Sequence, residues 1–174
     1  LRPPVRPSTR NPHHMDPLDT TDWPRPLERP RRLRRSANLR RMTRETRLAT
    51  DNLIAPLFVT AGEGVQEEIG SMPRQYRFSI DTLIEEAAEL YSLGIPAIAL
   101  FPAIPDAQKD ATASAATDPS GLYPQAIDAL KAELPELLVI TDTALDPYSS
   151  DGHDGVVRDG QIANDETIAI MRDI

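Results

Sequence analysis

The residues best suited to chemistry lie together near the end of the sequence. Five side chains that can bind a cation or move a proton fall within thirteen residues: Asp142, Asp146, Asp151, His153 and Asp154. Carboxylates completed by water suit a hard cation such as Mg²⁺, and the chain has no cysteine for a thiolate zinc site. The alternative is a solvated loop whose aspartates and serines bind their own backbone. The spacing matches neither an EF-hand nor a Gly-x-Ser-x-Gly nucleophile.

This segment, here called the aspartate loop (residues 142–155), follows an apolar run. Runs 53–59, 97–101 and 137–141 are nearly continuous in apolar residues, which is typical of strands buried on both faces of a parallel sheet. Segments with helical spacing separate the runs, so the pattern predicts an α/β fold. Active sites of such folds assemble at the carboxyl ends of the strands, where the aspartate loop begins.

Capping residues and apolar spacing predict four helices around these strands. A turn or short hairpin is expected within residues 142–163, which are otherwise a polar loop. The four predictions are a helix from Ser36 to Arg47, a helix capped by Ser79 and ended by Gly94, a helix from Pro119 to Glu133 with Asp118 as its cap, and a helix that begins at Asn164.

The first 35 residues predict a flexible arm, because they hold 8 of the 17 prolines and few large apolar residues. Residues 1–50 carry 13 arginines against 5 acids, whereas residues 51–174 carry 6 basic residues against 22 acids. This asymmetry favours pairing of the arm with an acidic body over nucleic acid, since no aromatics interleave the basic run 29–35. The predicted division is therefore an arm, 1–35, and a domain, 36–174.

Length and composition restrict the class of protein. The 174 residues are fewer than the roughly 250 of a complete (β/α)₈ barrel, so we expect the N-terminal half of a TIM barrel. No apolar run approaches the ~20 residues of a membrane helix, and no signal peptide is recognisable, which predicts a cytoplasmic protein without a membrane partner. The chain begins at Leu1, and Met15 is an alternative start.

From residue 29 onward, the chain resembles the porphobilinogen synthase (5-aminolevulinate dehydratase) family. This resemblance implies a (β/α)₈ barrel that condenses two 5-aminolevulinate molecules to porphobilinogen in haem and chlorophyll synthesis. It also implies an arm that embraces neighbouring subunits, usually in an octamer. Arg74 departs from the family, in which glycine is common at this position. The resemblance rests on the aspartate loop and on segments 29–35, 56–59, 71–73, 94–102, 139–142 and 164–167.

The same resemblance assigns roles within the aspartate loop. Zinc-dependent members place cysteines at the positions of Ala144, Asp146 and Asp154, so this chain resembles the magnesium-responsive branch. Asp146 and Asp154 are thereby implied to bind Mg²⁺, or a monovalent cation, or to position substrate directly. Asp142 corresponds to a family aspartate that steers the amino group of the substrate.

Ser150 and His153 match further loop positions of the family and complete the predicted catalytic set. The family forms Schiff bases through two lysines, whereas Lys109 and Lys131 are expected to be surface residues. The lysines of the family are expected beyond Ile174, so the 174-residue chain alone is expected to be inactive.

Two further function classes stay open from the residues alone. One is a different magnesium-dependent TIM-barrel aldolase or lyase that shares the aspartate-rich loop. The other is a non-catalytic, truncated chain that associates through its arm. Turnover of 5-aminolevulinate separates the predicted dehydratase from both.

Overall fold

A computed structural model describes residues 31–174, and its contacts divide the chain after Arg47. Most of the predicted arm lies outside the described residues, so the division into 1–35 and 36–174 stays a prediction.

In the described part of the first unit, residues 31–47, the α-helix is α1 (Ala37–Met42). Ser36 caps it as predicted, because its hydroxyl accepts from the Leu39 N–H at 3.2 Å. The prediction that this helix reaches Arg47 is wrong. Residues 40–47 are all exposed, and a helix this short gains little stability without an apolar face to bury.

Residues 48–174 are built around a five-stranded sheet. Its strands are β1 (Ile54–Val59), β2 (Gln66–Glu68), β3 (Tyr76–Phe78), β4 (Ala97–Pro102) and β5 (Leu138–Thr141). Their order is β2-β3-β1-β4-β5, with β2 antiparallel to β3 and all other neighbours parallel. The three strands predicted from apolar runs are thus confirmed as the neighbours β1, β4 and β5, and the α/β class is confirmed with them.

Three helices and a hairpin complete this unit. The helices are α2 (Ile80–Ser92), α3 (Leu122–Glu133) and α4 (Asn164–Asp173), and the hairpin consists of β6 (Val157–Arg158) and β7 (Gln161–Ile162). Asp159 and Gly160 both have positive φ at its turn, as a tight hairpin turn of this kind requires. None of the helices in residues 31–174 has the length and apolar composition that a membrane crossing requires.

One predicted helix cap is confirmed in position and one is wrong. Ser79 is the N-cap residue of α2, but its buried hydroxyl accepts from the Val65 N–H at 2.8 Å and donates to the Asp81 carboxylate at 2.5 Å instead of binding an N–H of the helix. Asp118 accepts from the Ser120 N–H at 2.9 Å and forms a separate turn. Because this turn precedes the helix, α3 starts after Gly121 rather than at residue 119.

The core lies on one face of the sheet. Helix α2 packs on β1, and α3 packs on β1 and β4. The opposite face is open in the described residues, where Ile54, Leu138 and Ile140 are 54%, 61% and 44% exposed. The prediction that the strands are buried on both faces is therefore wrong for this chain, since α2 and α3 cover only one of them. The largest fully buried side chains of this core are Val59, Leu83, Ile98, Leu100, Leu130 and Leu137.

Candidate active site at the carboxyl ends of the strands

Asp142 is the first residue after β5, at the carboxyl end of the parallel strands. Its backbone N–H donates to the Tyr123 hydroxyl at 3.2 Å, and that hydroxyl donates to the Leu100 carbonyl at 2.5 Å. A phenol on α3 therefore joins the end of β5 to β4. Because Asp142 is exposed, its carboxylate stands open to a ligand at this edge of the sheet.

The side chains of Asp146 and Asp154 come together in the aspartate loop. One Asp154 carboxylate oxygen accepts from the backbone N–H of Leu145 at 3.2 Å and of Asp146 at 3.4 Å. Partial burial raises the pKa of the Asp146 carboxyl, and the charge of Asp154, a hydrogen bond with it and the charge of Asp142 raise it further. The structure thus brings three of the predicted site residues within mutual electrostatic influence.

This carboxylate pair fits a hard cation in its chemistry but does not form a complete cage. Within residues 31–174, no group of three or more His, Cys, Asp or Glu side chains has the geometry of a metal site. Mg²⁺ keeps several waters and needs only one or two protein carboxylates, and its charge would relieve the repulsion between Asp146 and Asp154. The pair therefore suits a partly hydrated ion.

Ser150 and His153 lie on the exposed part of the same loop. The backbone N–H of Ser150 donates to the Asp110 carbonyl at 2.9 Å, which ties the loop to the connection between β4 and α3. Asp110 in turn donates its N–H to the Tyr148 carbonyl at 3.2 Å. The described contacts thus fix the backbone of Ser150, and they place neither Ser150 nor His153 in the carboxylate pair.

A small buried apolar cluster packs against the aspartate loop and holds it in place. Ala113, Leu145, Tyr148 and Val156 are at most 6% exposed and pack together. Burial raises the pKa of the Tyr148 hydroxyl to about 12, with a smaller contribution from Tyr123. Tyr148 therefore stays neutral at physiological pH and serves the loop as a packing residue.

An open cavity of about 430 Å³ adjoins the ends of β1 and β4, with Thr60, Ala103 and Pro147 in its lining. Lys109 also lines it, and its ammonium is 2.9 Å from the Asp106 carboxylate. Lys131 lies at the end of α3, where its ammonium donates to the Leu137 carbonyl at 2.9 Å. Both lysines therefore have local partners.

Comparison with known proteins identifies the family. The family model described as delta-aminolevulinic acid dehydratase matches residues 27–174. The chain belongs to this family. The delta-aminolevulinic acid dehydratase of Bradyrhizobium diazoefficiens is 48% identical over 130 residues, covering 75% of this chain and 37% of the relative. The chloroplastic enzyme of Pisum sativum is 48% identical over 127 residues, covering 72% and 32%.

A solved structure supports the same family assignment. The delta-aminolevulinic acid dehydratase (porphobilinogen synthase) of Toxoplasma gondii ME49, in complex with porphobilinogen, matches with a TM-score of 0.81 and 43% identity. The match covers 85% of this chain and 43% of the Toxoplasma chain. This chain thus spans about two fifths of the length of the bacterial relatives, 37% in Bradyrhizobium diazoefficiens and 39% in Halalkalibacterium halodurans. The predicted resemblance to the dehydratase family is confirmed.

Within this dehydratase-family chain, sequence reasoning missed two residues that hold the aspartate loop. The sequence predicts Tyr123 only as part of a helix, and no local pattern marks Asp110. Their partners lie far along the chain, since Tyr123 reaches Asp142 and Asp110 reaches Ser150. A buried tyrosine usually finds a hydrogen-bond partner, and that is the one signal that points to Tyr123.

Proposed function

We propose that the protein condenses two molecules of 5-aminolevulinate to porphobilinogen, with formation of one C–N and one C–C bond and loss of two waters. The observation that carries this proposal is the group of interacting carboxylates at the strand ends of a chain from the delta-aminolevulinic acid dehydratase family. The product held by the Toxoplasma relative supports the same substrate class. The product is a pyrrole, and its use is in haem and chlorophyll synthesis.

The proposal includes a larger architecture. The parallel strands β1, β4 and β5, covered by helices on one face, form part of a (β/α)₈ barrel whose open face points to its interior. The basic N-terminal segment associates with further copies of the chain, in an octamer of the kind the family resemblance implies. Such an assembly is cytoplasmic and needs neither nucleic acid nor a membrane.

Asp142, Ser150 and His153 are the proposed catalytic residues. The Asp142 carboxylate is exposed at the strand end, so it attracts the ammonium group of 5-aminolevulinate and orients it for attack. His153 is exposed on the same loop, so its imidazole is the proposed proton donor or acceptor toward substrate. Ser150 offers a hydroxyl on a backbone fixed by Asp110.

Asp146 and Asp154 are the proposed cation ligands. Mg²⁺ would supply a fixed positive charge beside the substrate, and a monovalent cation is a weaker substitute. In the other hypothesis for this pair, the carboxylates position substrate directly through its ammonium group. Lys109 and Lys131 take no part in the proposed covalent chemistry, since both already have local partners.

The test replaces Asp142 by alanine in the complete protein and measures porphobilinogen formed from 5-aminolevulinate. Loss of the orienting carboxylate is expected to lower kcat by about 100-fold or more while the melting temperature stays near that of the wild type. Asp151→Ala is the matched control, because it removes the same charge from the same exposed loop. Near-normal turnover by the Asp142 variant would overturn its assignment, and turnover of pyruvate or sugar phosphates instead would identify a different aldolase.

A further inference from the structure

The Asp110 carboxylate is the most extensively hydrogen-bonded acid of the connection between β4 and α3. It accepts from the Thr112 N–H at 2.7 Å, the Thr112 hydroxyl at 2.8 Å and the Ser114 N–H at 3.2 Å, and also from the Ser114 hydroxyl. These bonds, led by that of the Ser114 hydroxyl, hold the pKa of Asp110 well below its usual range. The side chain is therefore an ionised, fully engaged acceptor at physiological pH.

The four bonds hold a residue that is buried under the aspartate loop. Ala113 lies between Thr112 and Ser114 with φ of 52°, in the left-handed region that alanine rarely adopts. It is 1% exposed and packs with Leu145 and Tyr148 of the loop. Because Asp110 binds both flanking residues, it keeps the Ala113 methyl group pressed against the loop.

The Asp110 backbone contacts the loop directly. Its N–H donates to the Tyr148 carbonyl at 3.2 Å, and its carbonyl accepts from the Ser150 N–H at 2.9 Å. These bonds form a parallel bridge with Ser149, which is 5% exposed. Asp110 thus touches the loop by two independent routes, through its backbone and through Ala113.

We infer that Asp110 is a positioning residue for the catalytic loop: its carboxylate fixes the turn that holds Ala113, and this turn sets the backbone of residues 145–150. The inference rests on the proposed function, since it assigns a role to a residue outside the loop that carries the chemistry. Asp110 does not itself touch substrate. Its effect on turnover passes through the placement of Ser150 and Asp146.

The experiment compares Asp110→Ala and Asp110→Asn in the complete protein. Asparagine keeps an oxygen for both N–H groups and can donate to the Ser114 hydroxyl, so it preserves the turn without the charge. The matched control is Asp118→Ala, because Asp118 accepts from the Ser120 N–H and hydroxyl in the same way, in the same connection, without contact to the loop. The readouts are kcat and KM with 5-aminolevulinate, and hydrogen exchange in peptides spanning 142–154.

We expect Asp110→Ala to lower kcat by about tenfold to 100-fold with a smaller change in KM, because small misplacements of catalytic groups slow chemistry more than binding. Exchange in 142–154 should accelerate, and that in the α2 peptide should not. Asp110→Asn should keep most of the wild-type kcat and of the wild-type protection from exchange. The kcat of Asp118→Ala should stay within about twofold of the wild type. Wild-type kcat and exchange in Asp110→Ala, or equal losses in the alanine and asparagine variants, would overturn the inference.

If Asp110→Ala does not fold, Ser114→Ala is the second variant, and it is measured in the same way. It removes one donor to Asp110 and leaves the carboxylate and both N–H groups in place. A smaller fall in kcat together with faster exchange at 142–154 supports the inference, and no change in either overturns it. If the wild-type protein makes no porphobilinogen, the proposed function fails, while the exchange measurements still decide whether Asp110 holds the loop.

Discussion

The hydroxyl of Tyr123 accepts a hydrogen bond from the backbone N–H of Asp142 at 3.2 Å while it donates one to the carbonyl of Leu100 at 2.5 Å. One side chain of α3 thereby links the ends of β4 and β5 at the point where the aspartate loop starts. Burial raises the pKa of the Tyr123 hydroxyl and outweighs the hydrogen bond from the Asp142 N–H, which lowers it. The hydroxyl therefore stays protonated and keeps both hydrogen bonds across the neutral pH range.

Tyr123→Phe is expected to lower the free energy of unfolding by about 1–3 kcal/mol, because it leaves the buried Leu100 carbonyl without its partner. Porphobilinogen formation should fall as well, since the Asp142 backbone loses its anchor. Urea denaturation and a turnover assay measure the two effects. Tyr91→Phe is the control: Tyr91 is 41% exposed on α2, and its loss of a hydroxyl should cost less than about 0.5 kcal/mol. Equal effects of the two variants would contradict the linking role of Tyr123.

Asp146→Asn should raise the melting temperature near pH 7 in the presence of a chelator. The pKa of Asp146 is raised in the folded state by partial burial and by the charges of Asp154 and Asp142. Ionisation of Asp146 therefore opposes folding above its unfolded pKa, and this penalty disappears as the pH falls through the higher folded pKa. The gain from Asp146→Asn should shrink accordingly between pH 7 and about pH 4. Thermal unfolding at a series of pH values measures it.

Asp151→Asn controls for that experiment by removing one negative charge from the same loop, away from the pair. If Asp151→Asn raised the melting temperature as much as Asp146→Asn, general loop charge, rather than the contact with Asp154, would be what opposes folding. A gain that does not change with pH would contradict the raised pKa as its cause.

Magnesium should bind in competition with protons at the same pair. A cation between Asp146 and Asp154 requires both carboxylates ionised, so its affinity should fall as the pH falls through the raised pKa of Asp146. Calorimetric titration of the complete protein with Mg²⁺ at pH 8 and at about pH 5 measures this change. Asp154→Asn should abolish the pH-dependent binding, and Asp151→Asn should retain it. Unchanged Mg²⁺ binding in Asp154→Asn would favour direct positioning of substrate by the carboxylates.

The alternation of strands and helices is predictable because its signals are local. The apolar runs of β1, β4 and β5 and the apolar spacing of α2 identify these elements within one residue at most ends. Strand β2 was missed because its three residues are polar and exposed, and it pairs only with the equally short β3. The start of α3 was misplaced because Asp118 caps a nearer turn, and a sequence does not show which N–H a carboxylate chooses.

The sequence predicts the acids of the candidate site but not the residues that support them. Asp142, Asp146 and Asp154 stand out as acids that follow an apolar strand, and the structure brings them within mutual influence. The residues that hold them do not stand out, because Tyr123 and Asp110 act through contacts with distant parts of the chain. Local patterns therefore predict the chemistry of the loop, whereas the residues that position it are seen only in the folded structure.

Arg74→Gly should stabilise the protein, because Arg74 has φ of 65° in the left-handed region. This conformation costs a non-glycine residue about 1–2 kcal/mol. Glycine removes that cost, but its greater freedom in the unfolded chain destabilises the folded state by about 0.5–1 kcal/mol. The net gain in the free energy of unfolding should thus be at most about 1.5 kcal/mol, measured by urea denaturation. The Arg74 N–H that donates to Glu68 at 2.9 Å is kept. Arg74→Ala removes the same exposed side chain but keeps the strain, so an equal gain from alanine would exclude backbone strain as the cause.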